Sequence, residues 1–209
     1  MATQTHQRIG IWIIAVVMLI GTIGSFAVII LSNENQKIDQ QQQQELQAKY
    51  QKILGEYQAK MDKQATELSA KYYPEFSQYK TRPAAFDASS VKSLGKEDLK
   101  VGDGEEVKIG KGFVAYYIGW NPSGKVFDQS IDGDKLKSPI GLDQTIDGWK
   151  EGVEGMKVGG IRELTIPADK AYGSQGSGAD IPPNTPLKFV MFVIPTPEKI
   201  PDPDLSGLQ

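Results

Sequence analysis

The chain has 209 residues, 39% hydrophobic and 23% charged, with a formal net charge of −3 at pH 7 and no long basic run, which argues against nucleic acid as the main partner. It contains no cysteine and one histidine, His6, near the amino terminus. Disulfides, thiolate catalysis, a zinc site and a histidine-based triad are therefore excluded, no metal is expected, and any enzyme here works without the usual nucleophile and base.

Residues 1–8 form a short flank ending in Arg8. The run Ile9–Leu31 has no charged residue and is almost wholly apolar. As a helix rising about 1.5 Å per residue it would span ~34 Å, enough to cross a bilayer. A cleaved signal peptide would have an apolar region of about 7–15 residues followed by a small-residue cleavage site. This run is longer and ends in Ile29-Ile30-Leu31. The reading is an uncleaved single-pass transmembrane helix over 9–31 that contacts membrane lipid and places the protein in the cell membrane. Arg8 lies directly before the span, which favours an extracytoplasmic C-terminal part.

Residues 32–73 are polar and rich in Gln, Lys, Glu and Ala. Leu46, Tyr50, Ile53, Tyr57, Met61, Ala65, Leu68 and Tyr72 recur at three- and four-residue steps, which predicts a helical stalk. Their mean step of about 3.7 does not specify a strict heptad. The stripe suits pairing with a second copy in a homo-oligomer or coiled coil; the alternative is a solvated spacer. Pro74 and Pro83 predict a break, with a linker over 74–90.

From residue 91 short apolar runs alternate with Gly and Pro. Strands are predicted at Gly112–Ile118, Arg162–Ile166 and Leu187–Val193. Ile146, Trp149, Val153 and Met156 have helical spacing between the first and second of these. The fold class is α+β, a mainly antiparallel sheet on one short helix over residues 91–196, followed by a Pro-rich tail over 197–209.

Within this domain Gly124-Lys125-Val126-Phe127-Asp128-Gln129-Ser130 precedes Ile146-Asp147-Gly148-Trp149-Lys150-Glu151-Gly152-Val153. Gly155-Met156-Lys157-Val158-Gly159-Gly160-Ile161-Arg162, Ile166-Pro167, Ala171-Tyr172-Gly173 and Ile181-Pro182-Pro183-Asn184 follow in order. Together these blocks resemble the FK506-binding-protein type of peptidyl-prolyl cis-trans isomerase, in particular its prokaryotic members. The resemblance implies an FKBP-like sheet wrapped on the helix, isomerisation of Xaa-Pro bonds, no cofactor, and proline-containing polypeptide clients. It implies catalytic roles for Asp128 and Tyr172. Trp149 would be the pocket floor, Tyr117, Phe127 and Phe189 its aromatic walls, and Ile140, Thr145, Ile146, Ala171 and Ile181 further substrate contacts. Ser138 and Ile140 stand where the family often has aromatic residues, and Ser177 and Asp180 where it often has larger or apolar ones. Asp128-x-Ser130-x-Asp132-Gly133 mimics the start of a calcium loop, but Pro139 occupies the position needing a bidentate Glu. With the anchor, the resemblance implies clients among exported or membrane-associated proteins; the alternative is a low-activity, chaperone-like binding module on a membrane stalk.

Overall fold

The structure is a computed structural model that describes residues 40–206, except 109, 111, 143 and 144. The predicted membrane span over 9–31 lies outside the described residues. Among the described residues no helix is long and apolar enough to cross a membrane. Residues Ala59–Pro201 form one compact unit, and the start of the first helix belongs to a second.

Helix α1 runs Gln40–Phe76. Strands β1 (Gly95–Lys100), β2 (Val114–Trp120), β3 (Val126–Gln129), β4 (Ile131–Asp132), β5 (Lys135–Leu136) and β6 (Ile140–Gly141) precede helix α2 (Asp147–Val153), and β7 (Ile161–Ile166) and β8 (Leu187–Ile194) follow it. The main sheet is antiparallel in the order β1-β7-β8-β2-β3, with β6 also paired to β2, and β4 and β5 form a separate hairpin. The three strands read from the sequence are β2, β7 and β8. Strand β1 was not legible because Gly-Lys-Glu-Asp-Leu-Lys is an edge strand with mostly exposed side chains.

Both faces of the sheet are buried. Ala115, Leu164, Ile166, Phe189, Met191 and Val193 face α2, with Trp149 and Val153. The alternate residues Tyr116, Ile118, Trp120, Val190, Phe192 and Ile194 form a second core with Phe76, against which Leu68, Tyr72, Tyr73, Tyr79 and Phe86 pack. Side chains alternate across a strand, so one sheet serves two cores.

The C-terminal part of the predicted stalk and the predicted linker thus build the second core. Leu68 and Tyr72, expected on a pairing stripe, lie against the protein's own sheet, and the Phe192 ring meets Tyr72 edge-on at 5.5 Å. Pro74 does not end the helix. It is exposed, so water can satisfy the carbonyl that its missing N–H leaves unpaired, while Tyr72 and Phe76 hold the last turn on the sheet.

The segment after α1 is fastened by polar contacts. Arg82 Nε donates to Glu163 Oε2 at 2.6 Å, and Lys188 Nζ to Glu163 Oε1 at 2.8 Å. The Phe86 amide donates to the Pro122 carbonyl, Trp120 Nε1 to the Ala84 carbonyl, and the Leu136 amide to Ser69 Oγ. Glu163 is buried, so two cations are needed to hold its charge there, and its hydrogen bond keeps the Arg82 guanidinium above its ordinary pKa.

Candidate active site

The apolar blocks of the sequence converge on the α2 side of the sheet. Helix α2 starts at Asp147, after the extended Ile146, and its first turn carries Trp149 into the core at 5% exposure. The Trp149 ring lies 4.9 Å from Tyr117 and 5.1 Å from Phe189, the latter edge-on, and Phe127 meets Phe189 edge-on at 5.6 Å. These four rings form one aromatic cluster around the Trp149 indole. Trp149 Nε1 is buried and has no hydrogen-bond partner among the described residues.

Glycine makes this ring packing possible. Gly119 is paired with Phe189 on β8 and with Asp128 on β3. A Cβ at Gly119 would stand 2.4 Å from Phe189 Cε1 and 2.9 Å from Phe127 Cζ, so any larger residue would displace both walls.

The polar edge lies on β3. The Tyr117 hydroxyl donates to Asp128 Oδ2 at 2.5 Å, and the Gln129 amide donates to Oδ1 at 2.9 Å. Ser130, buried at the end of the same motif, accepts from the Tyr117 amide through Oγ, and its own amide donates to the Tyr117 carbonyl. It holds β3 against β2 just where Asp128 reaches Tyr117, a role not assigned from the sequence although Ser130 closes its Phe-Asp-x-Ser block.

Ala171 and Tyr172 follow a single 3-10 turn, Ala168–Lys170, and are half-buried against the same cluster. Lys170 Nζ lies 2.7 Å from both Glu151 carboxylate oxygens, tying this segment to α2. No hydrogen bond engages the Tyr172 hydroxyl among the described residues. Ile181 is 2% exposed in the cluster, and Ile140 and Ile146 pack on its margin.

Nine of the residues singled out from the sequence therefore meet in one apolar cluster, and Asp128 joins it through Tyr117. Thr145 is outside the cluster; its Oγ1 donates to the Leu142 carbonyl at 2.8 Å. Ser138 is exposed, and Asp180 is paired with Lys125.

The arrangement brings together an aromatic cluster, a carboxylate held by Tyr117 and the Gln129 amide, and the half-buried Tyr172. Such a site suits a non-covalent reaction of an amide that gains or loses polarity as it twists.

The family model of the FKBP-type peptidyl-prolyl cis-trans isomerase matches residues 103–194. The chain is 46% identical over 98 residues to the FK506-binding protein of Neisseria meningitidis serogroup A, covering 46% of this chain and 90% of the relative. It is 45% identical over 114 residues to FK506-binding protein 4 of Dictyostelium discoideum, covering 53% of this chain and 30% of that protein. A solved peptidyl-prolyl cis-trans isomerase from Pseudomonas syringae pv. tomato shares 30% identity, with a TM-score of 0.43, 63% of this chain covered and 92% of that one. By the matching family model and the near-complete coverage of the Neisseria relative, the chain belongs to the FKBP-type peptidyl-prolyl cis-trans isomerases.

Proposed function

We propose that the aromatic cluster around Trp149 forms a cup where the chain isomerises Xaa-Pro bonds, with Trp149 as its floor and Asp128 and Tyr172 as the catalytic polar groups. The observation that carries this reading is the cluster of four rings with the Tyr117–Asp128 hydrogen bond beside it. A planar prolyl amide is held by resonance behind a barrier of ~18–20 kcal/mol, and exchanges in about tens to hundreds of seconds unaided. Shortening this to milliseconds removes about 5–7 kcal/mol of barrier. The planar amide is more polar than the twisted one, so a dry aromatic pocket disfavours the ground state. A donor such as the Tyr172 hydroxyl adds selectivity if it meets a carbonyl only in the twisted form. The rim carboxylate of Asp128, oriented by Tyr117, favours the same geometry electrostatically. No covalent bond breaks, which fits a domain without cysteine or histidine.

The clients are exported or membrane-associated proteins, bound beside the lipid in which 9–31 is anchored, with the isomerase domain extracytoplasmic. Support for this is the length and apolarity of 9–31 and the position of Arg8. Self-association runs through Leu46 to Met61, since Leu68 and Tyr72 are engaged on the sheet; Met61 is 39% exposed.

The deciding experiment measures cis-trans exchange of an Xaa-Pro peptide by the full chain, by Tyr172→Phe and by Asp128→Ala, each shown to be folded. Both variants should be slower. Full activity in both would move the site elsewhere, and undetectable exchange by the wild type would leave a chaperone-like holding function in its place.

A further inference from the structure

Two loops meet at Asp180, the residue before the clustered Ile181. The turn after β2 contains Asn121, which is half-buried. Its Oδ1 accepts from the Ser123 amide at 3.1 Å, the Ser123 hydroxyl at 2.7 Å and the Lys125 amide at 3.2 Å. Three donors on the oxygen fix which way the carboxamide points. Nδ2 is thereby aimed out of its own turn, and it donates to the Asp180 carbonyl at 3.0 Å. From the same turn Lys125 Nζ reaches Asp180 Oδ1 at 2.6 Å. Asp180 is thus held by backbone and side chain together.

The residue after Asp180 is Ile181, part of the cluster around Trp149 and Phe189. The Ile181 carbonyl accepts from the Ser177 amide at 2.7 Å, and a Cβ at Gly176 would stand 2.3 Å from that oxygen. The Gly176 amide in turn donates to the Tyr172 carbonyl at 3.1 Å. A displacement at Asp180 therefore passes through Ile181 and Gly176 to Tyr172.

We propose that Asn121 and Lys125 are positioning residues of the isomerase site, acting through Asp180. Asn121 holds the Tyr172–Ile181 loop in its binding-competent form, and Lys125 cancels the Asp180 charge next to Ile181, so that Asp180 does not sort substrates by the charge of residues flanking the proline. The inference rests on the placement of the site at the Trp149 cup. The Lys125–Asp180 pair is exposed, at 60% and 36%, so its stabilising contribution is small. Its effect on ligands is larger than its effect on folding, because an unpaired carboxylate acts on charged groups within a Debye length of about 8–10 Å.

The test uses the full chain and three peptides with a neutral, a lysine or an aspartate residue beside the proline. Asn121→Ala frees the loop to leave its competent form, so KM should rise about 5- to 10-fold for all three peptides with kcat little changed. Lys125→Glu should favour the lysine peptide over the aspartate peptide several-fold at low salt, and the preference should fade at high salt. Combining Lys125→Glu with Asp180→Lys restores the pair in reverse and should restore even treatment of the three, which a merely structural role would not produce. Lys125 is exposed, so its variant decides the matter even if Asn121→Ala loses stability. If Tyr172→Phe and Asp128→Ala slow exchange but Asn121→Ala leaves KM unchanged and Lys125→Glu treats all peptides alike, the inference is wrong and the site stands. If Tyr172→Phe and Asp128→Ala are fully active, the site itself is misplaced and the inference falls with it.

Discussion

Asp128 accepts from the Tyr117 hydroxyl and the Gln129 amide, whereas the Tyr172 hydroxyl has no donor or acceptor partner among the described residues. The asymmetry assigns different tests to the two groups. Tyr172→Phe removes one donor without opening a cavity, so kcat/KM should fall about 5- to 30-fold with stability unchanged, the cost of about 1–2 kcal/mol of differential hydrogen bonding. Gly119→Ala tests the cup instead. Its Cβ would intrude on Phe189 and Phe127, and unfolding measurements should show a loss of about 1–3 kcal/mol together with reduced exchange activity. Tyr116 gives a prediction on the opposite face. Its hydroxyl is buried without a hydrogen-bond partner among the described residues, and burial raises its pKa, with a further contribution from Tyr72. The folded-state pKa thus lies above the unfolded value of about 10. Tyr116 costs no stability through ionisation below that pH, and stability falls as pH rises above it, because only the unfolded chain releases the proton. Tyr116→Phe should raise stability by about 1 kcal/mol at neutral pH and extend the alkaline limit in pH-dependent denaturation.

At the scale of elements, α1 is the departure from an isolated catalytic domain. Phe76 has no exposed surface and packs at 5.8 Å from Phe192 and 6.3 Å from Tyr116. Phe76→Ala should cost ~3–5 kcal/mol in chemical denaturation. A chain beginning at residue 91 would expose Tyr116, Phe192, Ile194 and Ile161 together, a contiguous apolar face of the kind that causes association. The chain 59–201 should unfold cooperatively and remain monodisperse. The chain 91–201 should unfold at a lower temperature and bind a hydrophobic dye; equal midpoints for the two would show that α1 is not part of the folding unit. The signal for this was present in β8. From Phe189 to Ile194 β8 is apolar without alternation, and such a run has both faces covered. The short helix α2 covers one face only.

For the whole molecule, the membrane reading stands on the sequence of 9–31. Intact-mass analysis of protein extracted from membranes should retain that segment, and a mature soluble form beginning after Leu31 would overturn it. The sequence by itself determined the family and the chemistry. The Phe127-Asp128, Gly148-Trp149, Ala171-Tyr172 and Ile181-Pro182-Pro183 blocks are local in the chain, and their order sufficed to identify the family. Short apolar runs between Gly and Pro marked β2, β7 and β8, and helical spacing marked α2, because each packs apolar side chains into the core. What only the tertiary structure decided involves partners distant in sequence. Ser69 accepts from Leu136, Arg82 reaches Glu163, and Asn121 grips Asp180 across separations that no local pattern encodes. The same holds for Leu68, Tyr72 and Phe76. A helical stripe reports that one face is apolar, not whether that face meets a second copy, a spacer's solvent or the chain's own sheet, since burial energy is non-directional and the geometry of the closed fold chooses the partner.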